Sequence, residues 1–145
     1  MTDKIKVERH GPVTVLRLDD AETMNALTSA MALELRDLLE REAQTARAIV
    51  LAGSPRAFSA GANLKQGTIE SGKELDAGAA LENAYNPLMT TLRDLPVPVV
   101  SAVQGAVAGV GASIALACDV IVAGRDVYFL EAFARLGLIP DGGAP

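Results

Sequence analysis

Two short runs of small residues are where this sequence could do chemistry: Ala57-Phe58-Ser59-Ala60-Gly61-Ala62-Asn63-Leu64 and Gln104-Gly105-Ala106-Val107-Ala108-Gly109-Val110-Gly111. Each follows a short apolar, β-branched stretch, Ile49-Val50-Leu51 and Val99-Val100-Ser101-Ala102-Val103. Side chains this small let a ligand reach bare backbone, and two such places can each aim one N–H at the same oxygen. That is what an oxyanion hole built from main chain requires. Other chemistries are poorly served. One histidine, His10, and one cysteine, Cys118, cannot furnish a His/Cys metal site. Gly111-Ala112-Ser113-Ile114-Ala115 could be mistaken for a nucleophile elbow, but no histidine follows Ser113 and His10 lies far upstream. Gly109-Val110-Gly111-Ala112-Ser113-Ile114 opens like a dinucleotide fingerprint and lacks its third glycine.

The elements that must hold these runs can be read from pattern. Ile5, Val7, Val13, Val15 and Leu18 flank His10-Gly11-Pro12, which predicts an antiparallel hairpin. Thr28 can cap a helix in which Met31, Leu35, Leu38 and Leu39 share one face. Ala48 to Leu51 is a buried strand. Gln66 to Gly78 is polar and glycine-rich and is expected to be a mobile loop. A helical segment broken near Pro87 leads to Arg93 and Asp94, and Pro96-Val97-Pro98 introduces the second buried strand. A small-residue helix follows through Ile114, Leu116 and Ala117, and Val120-Ile121-Val122-Ala123 is read as a third buried strand. Strand, turn and helix recur, with no linker or low-complexity stretch, so residues 1–145 form one α/β unit.

Composition narrows the partners. At 145 residues, half of them apolar, the chain can bury a core of its own. Two Tyr, three Phe and no Trp leave no aromatic platform for nucleic acid, and a net charge of -5 disfavours a polyanion held by a broad basic surface. Leu95 to Cys118 carries no charge, yet its two prolines, three glycines and changing period fit a strand, a turn and a buried helix rather than a membrane span. The N-terminus lacks an apolar signal-peptide core, and a single cysteine suits a reducing compartment, so a cytoplasmic location is expected.

The paired runs, with Ala132-Phe133-Ala134-Arg135-Leu136-Gly137-Leu138-Ile139-Pro140-Asp141, resemble the enoyl-CoA hydratase/isomerase (crotonase) superfamily. The last block is most similar to ring-epoxyphenylacetyl-CoA isomerases and related enoyl-CoA isomerases. The resemblance covers essentially all of this chain but only the N-terminal core of the family fold, a crotonase-like spiral of ββα units of the ClpP/crotonase kind. Further helices usually complete the acyl pocket there and build trimers or hexamers. It implies an acyl-CoA thioester as partner, coenzyme A as part of the substrate, and no metal, nucleic acid or membrane.

The same resemblance implies site residues. The N–H groups of Ala62 and Val110 would bind the thioester oxygen. Met24, Ala26, Ser59 and Ala60 would lie near the coenzyme, with Asn63, Leu64, Phe133 and Leu138 lining the substrate site. Hydratases carry two glutamates, and their positions fall here on Ser113 and Phe133. Hydration needs one group to activate water and another to supply a proton, and neither residue can take over such a carboxylate's role. Asp141 stands where several isomerases of the superfamily place a catalytic aspartate. One carboxylate suffices to move a proton from beside the carbonyl to further along the acyl chain. The expectation is therefore an isomerase, with a hydratase or a non-catalytic acyl-CoA binder as alternatives. The plainer alternative is that Asp141 caps the next helix, a role compatible with catalysis. Glu131 is a second carboxylate, read mainly as a surface residue.

Overall fold

The computed structural model describes residues 2–63, 77–131, 133, 139–140 and 142–143. The chain opens with the expected hairpin. β1 (Ile5–His10) pairs antiparallel with β2 (Val13–Leu18) across a Gly11-Pro12 turn, in which Gly11 takes φ +58. Thr28 then caps α1 (Ser29–Glu42), its hydroxyl accepting the Met31 N–H at 3.1 Å. Met31, Leu35, Leu38 and Leu39 are buried on one face of that helix.

From this point the chain repeats a two-strand unit. β3 (Ala48–Ala52) leads to β4 (Ala57–Ser59), β5 (Val99–Val103) to β6 (Ala106–Ala108), and β7 (Val120–Ala123) to β8 (Tyr128–Leu130). The first strand of each pair joins a five-stranded sheet in the order β1-β2-β3-β5-β7. The second joins a three-stranded sheet in the order β4-β6-β8. All pairings between units are parallel, so successive units must be joined by crossovers. Helices supply them. Between β4 and β5 lie α2 (Ala77–Ala80), a π turn (Leu81–Tyr85) and α3 (Asn86–Asp94); between β6 and β7 lies α4 (Val110–Ala117). This is the expected spiral.

Register aligns the core. Thr14, Ile49 and Val99 stand in one cross-strand row and Leu16, Leu51 and Ser101 in another, all buried. Phe58, Leu27, Leu88, Val107 and Ile114 fill the space among sheets and helices. Ser101, the β5 member of the second row, is satisfied by donating its hydroxyl to the Ala115 carbonyl of α4 at 3.0 Å. A buried hydroxyl without such a partner would be costly.

The helical run expected to break near Pro87 instead continues through it to Asp94, widened by a π turn just before the proline. Pro87 offers no N–H to the preceding turn, and the chain widens there: the Asn86 N–H bonds the Leu81 carbonyl in a π turn. The extra residue rotates what precedes it by about 100° relative to a regular helix, and Ala84 and Tyr85 are buried.

One expectation is overturned. β7 is a strand but not a buried one: Val120 is 53% exposed and Val122 58%. An apolar run reports what a strand prefers, whereas position decides what it gets. Among the described residues β7 stands last in its sheet, paired with β5 alone, and nothing covers the side chains on either of its faces. The polar segment 66–78 falls largely outside the described residues, and its last two residues belong to α2. No helix among the described residues is long and apolar enough to cross a membrane.

Candidate functional site

The two small-residue runs lie side by side. Ser59 of β4 pairs with Val107 of β6. Ala62 and Val110 each stand three residues further on, at corresponding places in consecutive units. Before each comes a glycine at positive φ, Gly61 at +93 and Gly109 at +48. Their backbones abut. A Cβ built on Gly61 would lie 2.9 Å from the Ala108 carbonyl oxygen and 3.6 Å from the Gly109 Cα. Nothing larger than glycine fits at Gly61.

Hydrogen bonds fix which way each peptide faces. The Gly61 carbonyl accepts the Leu27 N–H at 2.7 Å, and Leu27 in turn accepts the Asn63 N–H at 2.8 Å. A trans peptide points its N–H opposite its carbonyl, so the Ala62 N–H faces away from Leu27. The Gly109 carbonyl is likewise taken, by the N–H groups of Ala112 at 2.8 Å and Ser113 at 3.1 Å inside α4. Val110 therefore presents its N–H outward at the start of that helix, where amides lack intrahelical partners and the dipole favours negative charge. Gly109 has no side chain with which to cap it. Among the described residues, neither the Ala62 nor the Val110 N–H is bonded.

The residues expected near the coenzyme are gathered at the same place. The Met24 carbonyl accepts the Ala60 N–H at 2.9 Å. Ser59, fully buried, donates its hydroxyl to the Asn25 carbonyl at 2.8 Å and accepts the Gly61 N–H at 3.1 Å. Ala26 is half-buried between them, and Met24 is exposed. Helix α4 sits directly on Ser59, since a Cβ on Gly111 would meet its side chain at 2.7 Å. Phe133 is buried. Leu64, Leu138 and Asp141 lie outside the described residues. The residue after Asp141, Gly142, packs on this helix start: a Cβ built there would stand 3.1 Å from the Ser113 hydroxyl oxygen and 3.6 Å from a Val110 methyl. Glu131 is exposed and follows β8, whose Leu130 carbonyl accepts the Gly109 N–H at 3.1 Å.

Of two further residues that position the site, one carries only a faint sequence signal of that role and the other none. Asn25 is fully buried with φ +57, and its side-chain amide donates to the Ala57 carbonyl at 2.9 Å and the Phe58 carbonyl at 3.2 Å. Its side-chain oxygen accepts the Asp20 N–H at 2.7 Å. Tyr85 reaches from the π turn and donates to the Leu27 carbonyl at 2.8 Å. Only the φ preference of Asn for left-handed backbone hints at the first, and nothing local announces the second.

A parallel spiral carrying two outward amides at equivalent turns defines a class, and comparison with known proteins agrees. The sequence pattern of the enoyl-CoA hydratase/isomerase family matches residues 8–145. The chain belongs to the enoyl-CoA hydratase/isomerase family and has its crotonase-like α/β fold. It is 45% identical over 139 residues to a protein of Rhodobacter capsulatus described as a probable enoyl-CoA hydratase, covering 96% of this chain and 53% of that one. It is 39% identical over 134 residues to the 1,2-epoxyphenylacetyl-CoA isomerase of Escherichia coli, covering 90% and 51%. The crystal structure of an enoyl-CoA hydratase from Mycobacterium avium subsp. paratuberculosis superposes with a TM-score of 0.81 at 32% identity, covering 97% of this chain and 52% of that one. The chain spans about half the length of the curated relatives it matches.

Proposed function

We propose that this chain carries the thioester-polarising core of an acyl-CoA isomerase that moves a double bond, or rearranges an unsaturated ring acyl group, through an enolate. The observation that carries the reading is the pair of peptides Gly61–Ala62 and Gly109–Val110, with both carbonyls engaged and both N–H groups turned outward at matched positions. An oxygen gaining charge between two such donors is stabilised by ~3–4 kcal/mol per donor in comparable sites. Asp141 takes the proton beside the thioester carbonyl and returns it further along the acyl chain. Gly142, its neighbour in sequence, touching Val110 and Ser113 supports that assignment. Coenzyme A enters as part of the substrate, along Met24, Ala26, Ser59 and Ala60, while Asn63, Leu64, Phe133 and Leu138 line the acyl side. A cytoplasmic location and a homotrimeric or hexameric assembly of the whole protein belong to the same proposal.

Hydration is the second reading, favoured by the hydratase description of the Rhodobacter relative. Against it stand Ser113 and Phe133, at the positions where the family's hydratases carry glutamate. The test follows conversion of a 3-enoyl-CoA to its conjugated 2-enoyl isomer by absorbance, for this protein and for Asp141→Asn, beside hydration of crotonyl-CoA. Isomerisation that vanishes in the variant, with little hydration, is the expected result. Predominant hydration would select the second reading. Binding of CoA thioesters without turnover by either protein would indicate a non-catalytic binder.

A further inference from the structure

The geometry points to Tyr85 as a positioning residue for the Ala62 amide: its hydroxyl holds Leu27, and Leu27 sets the direction in which the Gly61–Ala62 peptide presents its N–H. This rests on the thioester reading above. Tyr85 is 58 residues from Leu27 in sequence, is buried, and donates to the Leu27 carbonyl at 2.8 Å. That carbonyl already accepts the Asn63 N–H, while the Leu27 N–H grips the Gly61 carbonyl at 2.7 Å. Leu27 thus clamps the segment on both sides of Ala62, and the tyrosine is the third bond on the clamp. Because the peptide is planar, any rotation of the Gly61 carbonyl rotates the Ala62 N–H with it.

The location of the hydroxyl follows from the helix that carries it. The π turn Leu81–Tyr85, forced beside Pro87, adds a residue to the helix and brings Tyr85 inward. A regular helix would direct position 85 elsewhere by about 100°. The Leu27 carbonyl retains the Asn63 N–H without the tyrosine, so the extra bond is not needed merely to satisfy a buried acceptor. What it adds is restraint on the peptide that must meet a developing oxyanion.

The experiment is the infrared carbonyl stretch of a carbonyl-labelled acyl-CoA bound to this protein and to Tyr85→Phe, together with steady-state kinetics. Phenylalanine keeps the ring and removes the hydroxyl. Weaker polarisation is expected: a smaller shift of the bound carbonyl to low frequency, with kcat lowered on the order of 10- to 100-fold as small misplacements do. KM should stay within about threefold, because the amide acts on the oxygen rather than on the coenzyme. A second measurement covers a variant that folds poorly. The chain has only two tyrosines, and Tyr128 is exposed, so 3-fluorotyrosine incorporated into Tyr128→Phe reports on position 85 alone. Its more acidic phenol is a stronger donor and should deepen the shift. An unchanged stretch in both, with the unaltered protein polarising its ligand, overturns the role of Tyr85 and leaves the thioester reading intact. A parent protein that fails to bind or polarise the thioester overturns both.

Discussion

Gly111 stands so close to Ser59 that a Cβ on the glycine would lie 2.7 Å from the serine hydroxyl oxygen. Alanine in a helix ordinarily gains ~1 kcal/mol over glycine. Here overpacking costs about 1–3 kcal/mol, because Ser59 is tied to the Asn25 carbonyl and the Gly61 N–H and cannot yield freely. Gly111→Ala should therefore lower the melting temperature, and any turnover should fall by more than the loss of folded protein explains. A melting temperature at or above that of the parent would mean that Ser59 moves aside.

Asn25 provides a second prediction, with a control built in. Replacing it by alanine strands the Asp20 N–H, at about 1–3 kcal/mol for an unsatisfied buried donor. It also places a Cβ-bearing residue without a polar side chain at φ +57, costing roughly 1–2 kcal/mol more. Asn25→Gly removes the same hydrogen bonds but tolerates that backbone. Urea unfolding should rank the parent above Asn25→Gly, and Asn25→Gly above Asn25→Ala. Equal stability of the two variants would show that left-handed strain is not part of what Asn25 relieves.

These residues also mark where the sequence stops being informative. The turns at Gly61 and Gly109 are legible because close backbone approach demands glycine locally, and Thr28 because a cap acts within one helical turn. Asn25 and Tyr85 are not legible, since their partners are 32 and 58 residues away and only the completed spiral brings them together. The apolar run of β7 misled for a related reason: composition cannot say which strand ends at a sheet edge. The spiral itself was readable because its strand-turn-helix unit repeats. Asp141 was singled out by resemblance and chemistry and lies outside the described residues.

The thiol of Cys118 should be nearly inert in the folded chain. Burial, outweighing a hydrogen bond from the Ser101 side, pushes it up to about 12, and it donates to the Ile114 carbonyl at 3.3 Å. At pH 8 only on the order of 10⁻⁴ of it is thiolate. Labelling with a chromogenic disulfide should be slow in buffer and should accelerate across the urea unfolding transition. Since Cys118 lies between α4 and the exposed edge strand β7, fast labelling well below that transition would instead locate a local opening there.

Acid should weaken the fold through Glu42 in a way that charge removal cancels. Glu42 is buried at the end of α1, yet its carboxylate is charged because Arg9 bonds both oxygens, at 2.8 and 2.7 Å, and Arg41 adds a third bond at 3.1 Å. These bonds, Arg9 foremost, hold its pKa below the usual 4.5 against the opposing effect of burial. A depressed folded value gives stability that is fully present above 4.5 and drains away as pH falls through the lower, folded one. Asp20 behaves alike below its usual 3.8: burial opposes its charge, but Lys4 at 2.6 Å and Thr23 at 2.8 Å together outweigh it. Glu42→Gln should therefore lower stability at pH 7 and flatten its decline from about pH 5 to pH 3, without abolishing it, because Asp20 still contributes. Urea midpoints at four pH values between those limits and neutrality would check this. Parallel curves for parent and variant would mean that Glu42 carries no linked proton, and that Arg9 binds it no more tightly in the fold than in the unfolded chain.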